Sequence, residues 1–81
     1  MKFGLWDTTG QAWLGQTSGP ILYEDKELAR AAAMVASEQL GYAVIAIPFN
    51  DKKLRRKLRI KDKVTPRMSA IEAIKKIEGR R

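Results

Sequence analysis

The chain reads as a small single α+β domain: two β-hairpins forming an antiparallel sheet, a central alanine-rich helix and a C-terminal helix, in the order β-β-α-β-β-α. Three observations predict this. Short apolar stretches broken by Gly, Pro and Asn-Asp mark strands and turns. Ala29, Ala31, Ala32 and Ala33 fall in one run of the highest helix propensity. A hydrophobic fraction of 44% over 81 residues supplies one core and not two. A domain of this size buries only about 60–65% of its unfolded surface. A homodimer that completes the core is therefore among the expected partners.

Lys2 to Thr8 forms the first strand, with Phe3 and Leu5 on one face and Gly4 and Trp6 on the other. Thr8-Thr9-Gly10-Gln11 is the turn, where Gly10 supplies the positive φ that hairpin loops often use. Ala12 to Thr17 returns as the second strand and sets Trp13 near Trp6 across the hairpin. Ser18-Gly19-Pro20 breaks the pattern, and Ile21-Leu22-Tyr23 resumes a short extended stretch.

A helix over residues 26–40 follows, with Asp25 as N-cap and Glu27 in the first turn, where an acid suits the dipole. Leu28, Ala32, Val35 and Gln39 or Leu40 trace its inner face. Gly41 is a suitable residue to end it, with Tyr42 giving the hydrophobic contact beyond.

Tyr42 to Phe49 is almost continuously apolar and reads as the most buried strand, with Pro48 near its end. Asn50-Asp51 is a turn pair. Beyond it, every second residue from 53 to 63 is a cation: Lys53, Arg55, Lys57, Arg59, Lys61 and Lys63. A period of two is that of a strand, so the stretch reads as a basic strand returning along residues 42–49. Phe49 would then face Lys52, and Ile47 would face Leu54, with Leu54 and Leu58 on the apolar face. Arg56 is the misfit, landing among apolar neighbours. Leu54 and Leu58 are also spaced i, i+4, which admits a helix instead.

The last helix has two starts available: Thr65-Pro66, with proline in the first helical position, and the capping box Ser69-Ala70-Ile71-Glu72. Met68, Ile71, Ile74 and Ile77 form a narrow apolar stripe. Gly79 ends the helix, and Arg80-Arg81 form a basic tail.

The net charge of +7 is unevenly placed. Residues 1–50 hold three cations and five acids; residues 51–81 hold thirteen cations and four acids. The first part therefore reads as scaffold and the last third as a charged surface aimed at an anionic partner. Cysteine and histidine are both absent, which removes disulfides, thiolate chemistry and the usual zinc and iron ligands. No apolar run reaches the roughly 20 residues that cross a bilayer. Met-Lys-Phe-Gly-Leu-Trp-Asp lacks the apolar core of a signal peptide, so the expected compartment is the cytoplasm.

Gly10, Gly15 and Gly19 make no phosphate loop, because no G-x-x-x-x-G-K-[ST] pattern is present. Ser18, Ser37 and Ser69 have no histidine to serve as base. Glu24, Asp25 and Glu27 stand where acids cap a helix. The expectation is a non-enzymatic protein with no cofactor and no metal. It binds nucleic-acid phosphates through Lys53, Arg55, Lys57, Arg59, Lys61 and Lys63, together with Arg67 and Tyr42. Trp6, Trp13 and Tyr23 read as core aromatics rather than base-stacking ones. The alternative is a protein-interaction module, a small regulator that docks on an acidic protein or homodimerises through Ile71, Ile74 and Ile77.

Overall fold

Among the residues described by the computed structural model, 1–16 and 18–78, the chain runs β1 (Phe3–Asp7), β2 (Ala12–Gln16), β3 (Gly19–Pro20), β4 (Leu22–Tyr23), α1 (Lys26–Leu40), β5 (Val44–Pro48), α2 (Lys52–Lys57), β6 (Val64–Thr65) and α3 (Met68–Glu78). The expected end of the second strand at Thr17, and the expected Gly79 stop and Arg80-Arg81 tail, lie outside these residues. No described helix is long and apolar enough to cross a membrane.

β1 is the centre of the sheet, antiparallel to β5 along its whole length, from Phe3 opposite Pro48 to Asp7 opposite Val44. On its other edge it pairs with β2, placing Trp6 opposite Trp13 as the hairpin pattern implies. β2 parts from β1 after Trp13, and the returning segment fills the gap. Gly19–Pro20 pair with Gln16 and Gly15, while Leu22–Tyr23 pair with Gly4 and Phe3. A Cβ on Gly4 would stand 2.5 Å from the Trp13 ring, so the indole lies flat on β1 only because that residue has no side chain. β6 closes the far edge, parallel to β2.

The alternation of β1 sends Leu5 to one side and Trp6 to the other. On Leu5's side lie α1 and α3. α1 forms where expected: Asp25 accepts from the Glu27 amide at 2.9 Å, and Gly41 takes the left-handed conformation at φ 76°. Its buried face is Ala29, Ala32, Ala33 and Ala36, an i, i+3, i+4, i+7 stripe of small side chains that lets the helix settle close to the sheet. Leu28 and Val35, expected on that face, are half-buried at its flanks. α3 buries Ala70, Ile71 and Ile74. Its first helical residue is Met68, so Ser69 lies inside the helix rather than capping it.

The second hairpin does not form. Residues 52–57 are helical, with Asp51 as N-cap accepting from the Leu54 amide at 3.0 Å. The reason lies on β5. The Phe49 and Ala43 bonds to Lys2 and Thr8 show that odd-numbered residues of this strand face β1, so a returning strand would need residues 44, 46 and 48. Val44 is already occupied: its N–H donates to Ser37 Oγ at 2.8 Å, and the same hydroxyl lies 3.1 Å from its carbonyl. Pro48 has no N–H to give. With two of three positions closed, residues 52–57 gain more by capping on Asp51 and placing Leu54 on the aromatic face.

Candidate functional site

Winding residues 52–57 into a helix redistributes the cations. At about 100° per residue, Lys52, Lys53, Arg56 and Lys57 fall within an arc of about 140°. All four are exposed. Leu54 turns inward. Arg56, the misfit of a strand, is thus a member of the outer face, and Lys52 joins it. Arg55 points the other way. Its guanidinium carbon stands 5.1 Å from the Phe49 ring centroid and 5.8 Å from that of Trp13, and it pairs with Asp62. Among the described residues no hydrogen-bond acceptor reaches its Nε, and the guanidinium lies over aromatic faces instead. Trp13 is in turn packed edge-to-face on Trp6, with centroids 5.2 Å apart. Arg55 therefore rivets α2 to the sheet.

Tyr42 and Arg67 are also engaged internally, on a carboxylate that the sequence did not single out. Asp7 is completely buried at the end of β1. Its Oδ1 accepts from the amides of Thr9 at 3.0 Å and Gly10 at 2.8 Å, which shapes the hairpin turn. Its Oδ2 accepts from the Tyr42 hydroxyl at 2.9 Å and from Arg67 Nε at 3.4 Å. One carboxylate thus ties the first turn, the exit of α1 and the entry of α3 together. Burial, then the hydrogen bond to Asp7 and its charge, holds the Tyr42 phenol above its ordinary value. Gly10 does not take the positive φ expected of it; Gln11 does, at φ 51°. Gly10 is needed for closeness instead, since a Cβ there would stand 2.9 Å from Asp7 Oδ2.

Of the eight residues named from the sequence, six are exposed: Arg67, and the five cations Lys53, Lys57, Arg59, Lys61 and Lys63. Among the described residues the ion pairs are Arg55–Asp62 and Arg67–Asp7, and neither engages these five. Arg59 and Lys61 rim a cleft of about 450 Å³ whose apolar walls are Trp6, Ile45 and Leu58. Thr8 and Gln11 complete it, and no acid lines it among the described residues. No alternation in the sequence signals this cleft, because its walls come from β1, the first turn, β5 and the end of α2. A second, shallower groove of about 550 Å³ runs between α1 and β5 past the exposed Met34. No protein-family model, curated protein or solved structure matches the chain.

Proposed function

We propose that the protein binds nucleic acid without catalysing a reaction, through phosphate contacts made by the outer face of α2 and the loop after it. The observation that carries this is the arc of four exposed cations, Lys52, Lys53, Arg56 and Lys57, with no acidic partner among the described residues. Four cations on so short a helix repel one another, which is unfavourable for folding alone. Phosphates relieve that repulsion and release their own counterions. Contacts of this kind hold position without reading sequence, so discrimination between sequences is expected to be weak.

Isoleucines Ile71 and Ile74, on which a homodimer through the last helix would depend, are spent inside the core. Two measurements test the proposal. With Arg59 and Lys61 added, six contacts predict a log–log salt slope of about −4 on single strands. Replacing Lys52, Lys53, Arg56 and Lys57 with glutamine is expected to weaken binding at least tenfold while the fold stays intact. An unchanged affinity in that variant, or preference for an acidic protein over nucleic acid at matched charge, removes the proposal.

A further inference from the structure

The two helices that end before a loop do so differently. α1 stops on Gly41 in the left-handed conformation, as helices commonly do. α2 passes through a right-handed cap, Leu58, and turns left-handed one residue later. The Ile60 amide reaches back to the Arg55 carbonyl at 2.8 Å and the Arg59 amide to Arg56 at 3.3 Å, and Ile60 and Leu54 pack in the same aromatic cluster. The left-handed position is Arg59, at φ 55°. Nothing in the helix end requires arginine there, and glycine would meet the same backbone demand without strain.

Gln11 repeats the case in the first turn. It takes the left-handed conformation although Gly10 sits beside it. Among the described residues these are the two non-glycine positions with positive φ, and both border the cleft over Trp6. Backbone strain of this kind gathers where a side chain is held for a ligand.

We infer that this cleft is a nucleotide subsite, in which a base lies against Trp6, Ile45 and Leu58 while its phosphate meets Arg59 and Lys61. The inference deepens the reading of α2 as a phosphate-binding face and rests on it. The chemistry of the walls selects this ligand. The rim brings one guanidinium and one ammonium, which suit a phosphate. The apolar walls suit a base face. The Gln11 amide, donor and acceptor at once, suits a base edge. A volume of about 450 Å³ is that of a small-ligand pocket.

The test is an NMR titration of the full chain with adenosine 5′-monophosphate and, separately, with ribose 5-phosphate, read at the Gln11 and Arg59 amides and the Trp6 indole. The mononucleotide is expected to shift these signals and to bind at least tenfold tighter than the sugar phosphate. Equal affinities, or mononucleotide shifts absent from these three residues, overturn the inference. A single strand and an abasic strand of equal length distinguish the source. Shifts with the free nucleotide and the base-bearing strand assign the cleft to a nucleotide within a strand; shifts with the free nucleotide alone assign it to a small molecule.

The variant in which Lys52, Lys53, Arg56 and Lys57 become glutamine separates the two readings. It is expected to lose strand binding while cleft shifts with the mononucleotide persist. Arg59→Gly keeps the backbone and removes the guanidinium. It is expected to lower mononucleotide affinity at least fivefold, and unchanged affinity overturns the role given to Arg59.

Discussion

On one side of the sheet, four alanines of α1 meet Leu5, Leu14 and Val44, and α3 closes over them with Ala70 and Ile74. On the other side, Trp6, Trp13 and Ile47 are covered by Phe49, Leu54, Ile60 and Val64, with a guanidinium lying over the rings. The first side is regular and mostly aliphatic, with Tyr23 buried in it and Phe3 and Tyr42 packed against it. The second is aromatic, cationic and short of regular structure, and it carries both strained non-glycine residues. Nearly all regular helix is spent on the first. A face sealed by close-packed alanines tolerates little change of volume. A face sealed by broad rings and one long cation leaves clefts at its margin, and one of these is rimmed by Arg59 and Lys61.

Substitutions on the two sides are expected to behave differently, and the largest effect belongs to the sealed side. Asp7→Ala strips two turn amides, a phenol and a guanidinium of one shared acceptor, and is expected to cost about 3 kcal/mol or more in urea denaturation. Asp7→Asn retains an acceptor and is expected to lose distinctly less. An Asp7→Ala variant as stable as the parent would show that the three elements hold together without their carboxylate.

Gly4→Ala acts on the aromatic side. The added Cβ must push the Trp13 ring from the sheet, a strain of about 2 kcal/mol, and the near-ultraviolet circular dichroism of the tryptophans is expected to change with it. A smaller effect is expected from Tyr42→Phe, about 1 kcal/mol. Its pH dependence has a definite sign. The phenol is harder to ionise folded than unfolded, so its contribution is complete below the ordinary value of about 10 and is lost as pH rises through the folded value. The parent is therefore expected to lose stability above about pH 10 more steeply than the phenylalanine variant. Parallel curves for the two would remove Tyr42 from that limb.

The smallest effect has the opposite direction. Arg59→Gly relieves a left-handed arginine and is expected to stabilise the chain by roughly 0.5–1 kcal/mol, seen as a raised melting temperature. Stabilisation there together with weaker ligand binding would be the clearest contrast between the two sides.

How far the sequence reveals each side follows from the range of the interactions. α1 is legible because its determinants are local: Asp25 before it, alanines within it, Gly41 after it. The first hairpin is legible for the same reason, with Trp6 and Trp13 a turn apart. α2 was hidden because the alternation of Lys53 to Lys63 suits a strand only if an edge is free to receive it. Ser37, from the middle of another helix, decides that it is not. Asp7 was hidden likewise, since Tyr42 lies 35 residues away and Arg67 lies 60 away. Of the site, the cations were legible as composition, but their grouping on one helical arc and the cleft beside them depend on those distant decisions.

The Ser37 hydroxyl has one more effect. By occupying Val44, while Pro48 offers no donor, it leaves Ala46, among the described residues of β5, as the outward-facing position that neither Ser37 nor a proline ring closes. A neighbouring molecule seeking to extend the sheet would find a single rung of ladder there. At this edge, among the described residues, a neighbouring copy therefore finds little to build a further strand on.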